Sequence, residues 1–305
     1  MTALVETRGL GQWYGRVIAL DDVSLRVGPG ITGLLGANGA GKTSLLRVLV
    51  GLMRPSAGEA RVLGEPPWNN PALSARVGYC PEHDGFWEWM SGRAFVEALA
   101  RLRGLSRPRE AAADALDRVK LGEAADRKIS GYSRGMRQRL KLAQAVVHRP
   151  DFLVLDEPLT GCDPVVRQEI LELIRGFAAA GAGVLVSTHV LHEIEVLTRR
   201  VAVLHRGRLA ADGDAGEIRA MLDRHPRRVR VRCARPRELA AVLAREPDVE
   251  ELVLEAGQVT AFTRDPERFH ARLPALALEA AGDVEEISSP DDTLEAVFRY
   301  LTEER

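Results

Sequence analysis

The chain has only four lysines; the other thirty-eight of its forty-two basic residues are arginine. A lysine in a special position therefore suggests a specific need for an ammonium. Cysteine is also scarce. Cys80, Cys162 and Cys233 are odd in number, far apart and in no metal-binding spacing, which argues against a disulfide framework and for reduced thiols. No run of eighteen apolar residues exists to span a bilayer, and the opening "MTALVETRGLGQWYG" lacks the apolar core of a signal peptide. Any membrane role must come through a partner. Charge of one sign is missing too: the formal net charge is -1, so nothing global favours nucleic acid, and none is expected as a ligand. With 305 residues and 46% hydrophobic content, the chain can bury one sizeable domain and a smaller one.

Up to about residue 225, the apolar runs "ITGLLG", "DFLVLDEP", "AGVLVSTH" and "RVAVLHRG" alternate with helix-like stretches. That alternation predicts an α/β core with a mainly parallel sheet. Between about 86 and 148 the strands stop, and apolar positions three and four apart predict a helical insertion. Residues 226–305 read strand, helix, strand, strand, helix, strand and a last helix. This order predicts a small α+β, ferredoxin-like domain. Its last helix puts Leu294, Val297, Phe298 and Leu301 on one stripe, for packing on its own sheet or on a sister subunit.

One of the four lysines lies in "GANGAGKTS", residues 36–44, between a predicted strand and a predicted helix. The stretch satisfies G-x-x-x-x-G-K-[ST], the phosphate-binding loop. Gly36, Gly39 and Gly41 let the backbone curl so that N–H groups point into a phosphate-sized nest, with Asn38, Ala40 and Ser44 completing it. Lys42 is placed for the β- and γ-phosphates, where a compact ammonium fits better than a guanidinium. Thr43 offers a hydroxyl to Mg²⁺. In "DFLVLDEP" a buried strand delivers Asp156 and Glu157 at its C-terminal edge, the first for the metal and the second for an attacking water. Together the two motifs predict a nucleoside triphosphatase that uses Mg²⁺.

"GANGAGKT", "YSRGMRQRL", "LVLDEPLTGCDP" and "VLVSTHVLHEIE", in this order, resemble the ATP-binding subunits of ABC transporters, over about residues 3–225. The resemblance implies a P-loop NTPase core of the ABC ATPase type that works as a head-to-tail pair, a homodimer in the simplest case, with ATP between the phosphate loop of one copy and the signature motif of the other. It assigns Tyr14 to the adenine, with Trp13 as a competitor. It assigns Ser133 and Gly135 to the other copy's γ-phosphate, His189 to the switch histidine and Asp163 to the loop coupling the two sites. "YSRG", "PEH" and the C-terminal extension with "PDDTLEAVF" resemble the ATPases of ABC-2 type exporters. That likeness implies a membrane permease as partner and a peripheral place on the cytoplasmic face. A soluble ABC ATPase on ribosomes or DNA is the alternative, but such proteins usually carry two ATPase domains or a long coiled-coil arm; an importer subunit differs only in direction.

The chain departs from that family at two positions. Arg134 replaces the first glycine of the signature, and Glu82, a candidate metal ligand, stands where a glutamine is usual. Beside Glu82, "HDGFWEWMSGR" gathers Phe86, Trp87 and Trp89 where the resemblance implies a docking groove for the membrane subunit. Alternation predicts Phe86 and Trp89 buried and Trp87 facing the partner.

Overall fold

The computed structural model describes residues 3–217, 226–280 and 284–289. The chain divides into two compact units, Met1–Ala215 and Gly216–Arg305.

In the first unit, a six-stranded sheet has the order β10-β9-β4-β8-β7-β6, comprising β4 (Ile31–Leu35), β6 (Val77–Cys80), β7 (Phe152–Leu155), β8 (Gly183–Thr188), β9 (Arg200–His205) and β10 (Arg208–Asp214). All neighbours are parallel except the β9/β10 hairpin. β7 and β8 are buried at every position, so β7 and the first four residues of β8 read as unbroken apolar runs rather than alternating ones. A second, antiparallel sheet places β1 (Val5–Tyr14) against β2 (Val17–Val23), β3 (Arg26–Val27) and β5 (Ala57–Val62). Leu10, Leu20, Leu34, Leu46 and Leu49 join the two sheets through one apolar core around α1 (Lys42–Leu49).

Between β6 and β7, α3 (Gly92–Leu102), α4 (Pro108–Arg118) and α5 (Arg134–Val146) form the helical insertion. Ser91 starts α3 and Ser133 starts α5, each side-chain oxygen accepting from a first-turn N–H. A short helix, α2 (Pro71–Ser74), precedes β6, and α6 (Pro164–Ala179) and α7 (Leu191–Leu197) follow β7 and β8.

The second unit is built from β11 (Arg227–Cys233), β12 (Val249–Glu255), β13 (Gln258–Thr263) and β14 (Val284–Ser288), with helices Pro236–Leu243 and Pro266–Glu279. Its sheet order β12-β13-β11-β14, antiparallel throughout, is the split βαβ arrangement of a ferredoxin-like fold. In β11, Val229, Val231 and Cys233 are buried while Arg230 and Arg232 are exposed, the period of two expected of a sheet covered on one face. The predicted last helix lies outside the described residues.

Just before β7, His148 offers Nε2 to the Val77 carbonyl at 3.1 Å. A carbonyl only accepts, so Nε2 carries the hydrogen, and the buried Nδ1 has no partner. Burial, with the Arg103 charge as a second cause, lowers the His148 pKa to about 4 from 6.5. The unfolded chain therefore binds a proton that the folded chain refuses. The stability due to neutral His148 is present above about pH 6.5 and is lost as the pH falls towards 4. Urea denaturation at pH 7 and pH 5 should show a smaller loss of stability on acidification for His148→Gln than for the parent.

Candidate functional site

Sheet order explains where the site lies. β8 runs between β4 and β7, so the loops leaving the C-terminal ends of these three neighbours converge. The β4 loop carries residues 36–41 into α1. Gly39 and Gly41 adopt φ of 79° and 103°, left-handed values that glycine reaches without strain. At Gly41 a side chain would also collide with the Ala19 carbonyl, and at Gly36 a Cβ would lie 2.7 Å from the Leu204 carbonyl. Gly41 is the N-cap of α1 and supplies no side-chain oxygen, and no acidic residue occupies the first turn. The first N–H groups of α1 therefore remain available to an anion.

Residues Ala37–Ser44 line a groove of about 310 Å³ with Val17, Ile18, Ala19, Glu82 and Glu157. The Lys42 ammonium donates to the carbonyls of Gly36 (2.6 Å) and Ala37 (3.2 Å) and stands 3.1 Å from Glu157 Oε1. Lys42 and Glu157 are both buried. The other oxygen of Glu157 accepts from Thr160 Oγ1 at 3.0 Å and pairs with His189 Nδ1 at 2.9 Å. Since an ionised carboxylate only accepts, Nδ1 is the donor and Nε2 is left as the free ring nitrogen. Glu157 has φ of 48°, uncommon for a side-chain-bearing residue, and Lys42, Thr160 and His189 hold its carboxylate in that conformation.

Behind Glu157 the network continues inward. Ser187 Oγ accepts from the Glu157 N–H at 2.9 Å and donates to Asp156 Oδ1 at 2.6 Å. Asp156 is fully buried, and its Oδ2 has no hydrogen-bond partner. Thr188 Oγ1 donates to the buried Glu193 carboxylate at 2.7 Å and accepts from the Val190 N–H at 3.1 Å, shaping the turn that presents His189. Thr160, Ser187 and Glu193 escaped the sequence reading. For Ser187 and Glu193 the "VST" and "LHEIE" stretches held the signal, small hydroxyls and an acid flanking a histidine; Thr160, in "PLTG", had none. Below, the Cys80 thiol is pushed up to about 12 by burial, so it is a neutral neighbour of this charge network.

Tyr14, at the end of β1, is half exposed, and its hydroxyl lies 3.2 Å from Ser44 Oγ and 3.1 Å from Met53 Sδ. This places an aromatic ring at the rim of the groove, with Trp13 also exposed. Ser133, Gly135 and Asp163 are not among the groove-lining residues. Ser133 caps α5, and Asp163 caps α6 by accepting from the N–H groups of Val165 and Val166. A side chain at residue 135 would stand 2.8 Å from Val166, so glycine there lets α5 and α6 approach. The Arg134 guanidinium lies against Gly161, whose φ is 68°, where a Cβ would collide with it.

The aromatic segment differs from expectation. Phe86 and Trp87 both pack edge-on against buried Phe95, with centroids 5.2 and 5.9 Å away. Trp89 is the exposed one, at 73% against 47% for Trp87. A period of two holds only along an extended strand, whereas residues 84–87 are irregular and 88–89 turn, so it does not apply here.

A phosphate loop, an Asp-Glu strand end and a histidine on adjacent parallel strands define a P-loop nucleotide-binding ATPase. A sequence profile of the ABC transporter family matches residues 20–160. The daunorubicin/doxorubicin resistance ATP-binding protein of Streptomyces peucetius is 35% identical over 99% of this chain and 93% of its own length. A Nod factor export ATP-binding protein of Cupriavidus metallidurans is 37% identical over 72% of this chain and 73% of its own. Among solved structures, an ATP-binding subunit of an ABC transporter superposes with a TM-score of 0.64 at 28% identity, covering 71% of this chain and 92% of that one. A Clostridium perfringens subunit, part of a cbiONQ complex, shares the fold with a TM-score of 0.65 at 24% identity. It covers 72% of this chain and 92% of its own. The chain belongs to the ABC transporter family and is one of its ATP-binding, ATP-hydrolysing subunits.

The geometry gives Ser187 two partners that nothing else replaces. Ser187→Ala should cost about 2 kcal/mol in denaturant unfolding, because it leaves the Asp156 carboxylate and the Glu157 N–H buried and unpaired. Loss of ATPase turnover should accompany it.

Proposed function

We propose that this chain powers an ABC-2 type exporter, closing as a pair of copies on ATP and reopening after hydrolysis. The observation that carries the chemistry is the Glu157 carboxylate, held by Lys42, Thr160 and His189 at the groove wall. The exporter reading is supported by relatives named for drug resistance that match along nearly the whole chain, second unit included. It is supported too by relatives named for Nod factor export. Among the described residues no helix is long and apolar enough to cross a membrane. In this reading, the membrane path belongs to a permease subunit, with this chain peripheral on its cytoplasmic side.

In that reading the N–H groups of residues 39–44 cradle the phosphates, and Lys42 trades its carbonyl partners for phosphate oxygens. Tyr14 stacks on the adenine. The residues present fit Mg²⁺: Asp156 Oδ2 is buried and unpartnered, and the Thr43 hydroxyl and Glu82 carboxylate are hard oxygen donors at the groove. When bound, Mg²⁺ supplies neutralisation of the triphosphate charge. Glu157 orients and accepts a proton from the attacking water, and His189, held through Nδ1, turns Nε2 towards the γ-phosphate. Ser133 and Gly135 lie at the start of α5, free to meet the nucleotide of a second copy, and Asp163 stands at the neighbouring loop. Trp89 offers its exposed ring to the permease.

Glu157→Gln should retain ATP binding and stop turnover, trapping an ATP-bound dimer visible by size exclusion with light scattering. Lys42→Ala should instead weaken nucleotide binding itself, measured with a fluorescent ATP analogue. Steady hydrolysis by Glu157→Gln at the parental rate would remove Glu157 from its role.

Trp89→Ala should leave ATPase activity of the isolated chain intact while weakening capture of the permease by about 2 kcal/mol. The same substitution at Trp87 should lower stability as well, since that ring is packed on Phe95.

A further inference from the structure

Two of the four lysines, Lys120 and Lys128, are exposed, and two, Lys42 and Lys141, are buried. The buried pair share one contact type. Each ammonium donates to a backbone carbonyl at 2.6 Å, Lys42 to Gly36 and Lys141 to Glu82. Burying an ammonium is costly unless it is paired, so Lys141 calls for a physical reason. Its second contact is Asp84 Oδ1 at 3.6 Å. One helical turn earlier on α5, Arg137 stands 3.6 Å from Asp84 Oδ2 and 2.8 Å from Glu88 Oε1. α5 thus grips residues 82–88 by two cations. The same segment presents the Glu82 carboxylate to the nucleotide groove.

We propose that Lys141 is a positioning residue for ATP hydrolysis: by holding the Glu82 carbonyl, it fixes the Glu82 carboxylate at the metal edge of the groove and ties that carboxylate to α5. This rests on the reading of Glu82 as a Mg²⁺ ligand. A compact ammonium suits a single carbonyl in a closed space, whereas a planar guanidinium spreads five donors that this position cannot satisfy. α5 begins at Ser133, so a displacement of its first turn is carried along a rigid helix to Lys141 and on to Glu82. The Glu82 position would thereby respond to what meets Ser133. Carboxylate and metal edge are coupled to the opposite end of the helix without any contact between them.

The test uses the full chain with Lys141→Met, which keeps the stem length and removes the charge. Nucleotide affinity in the absence of Mg²⁺ should be unchanged. The Mg²⁺ concentration for half-maximal hydrolysis should rise roughly tenfold, the usual scale for loss of a group that orients a metal ligand. Mg²⁺-dependent nucleotide affinity should weaken in parallel. Hydrogen exchange at residues 83–88 should quicken while α1 stays protected, and Lys141→Arg should not restore the parental Mg²⁺ requirement. Asp84→Asn, at a more exposed position, should move the same readouts in the same direction by less. A folded Lys141→Met with parental Mg²⁺ dependence and parental exchange would overturn the proposal. Should that variant fail to fold, Asp84→Asn with both readouts unchanged would overturn it. Failure of the Mg²⁺-ligand reading is distinguishable: Glu82→Ala would then leave the Mg²⁺ requirement unmoved while Lys141→Met still quickened exchange.

Discussion

A buried ammonium 3.1 Å from a buried carboxylate, Lys42 against Glu157, is the contact around which the ATPase unit is arranged. Neither charge is stable in an apolar interior unless its remaining valences are filled. The filling groups come from three loops: the carbonyls of residues 36 and 37 after β4, the Thr160 hydroxyl after β7, and the His189 ring after β8. Those loops meet only because β8 lies between β4 and β7. Strand order, a property of the whole sheet, is thus expressed in one carboxylate, with Oε1 facing the Lys42 ammonium and Oε2 bonded to Thr160 and His189.

The same constraint determines what tolerates charge nearby. Asp156 is fully buried, and one oxygen is satisfied by Ser187 while the other has no protein partner. An unpaired buried carboxylate oxygen is expensive, and it is tolerated at functional positions where a ligand completes the shell. Glu157, with its φ of 48°, shows the same trade in the backbone. Here the left-handed backbone falls on the residue whose carboxylate meets Lys42, Thr160 and His189 at the groove.

The sequence made the phosphate loop and the Asp-Glu strand end legible because their chemistry forces a spacing: glycines at a tight turn, a lysine one residue after the last of them, two acids after four apolar residues. The ferredoxin-like order of the second unit was legible for a similar reason, since alternation in "RRVRVRC" and apolar spacing in "PRELAAVL" reflect burial on one face. What was hidden had no local period. Thr160, Ser187 and Glu193 matter only through partners up to 31 residues away. Trp87 and Trp89 do not follow a period of two because their segment is not a strand: Trp87 packs on Phe95 of α3, and Trp89 stays exposed. The two glycines at 135 and 161 look like flexible points in the sequence, yet each leaves space for a named neighbour, Val166 and Arg134.

Arg134 and Glu82 change charge at opposite ends of one connected path. The Arg134 guanidinium rests on Gly161, in the loop between Glu157 and Asp163, with no carboxylate partner among the described residues. Glu82, reached from α5 through Lys141, adds a negative charge to the groove rim. Unscreened charges interact over several ångströms, so a cation gained at the signature and an anion gained near the metal edge oppose one another in their effect on a triphosphate. Seen from one site, either departure alone shifts the electrostatic balance of hydrolysis. In the head-to-tail pair proposed above, a nucleotide would meet Glu82 of one copy and Arg134 of the other, so the added anion and the added cation would offset each other as a matched change rather than as two defects.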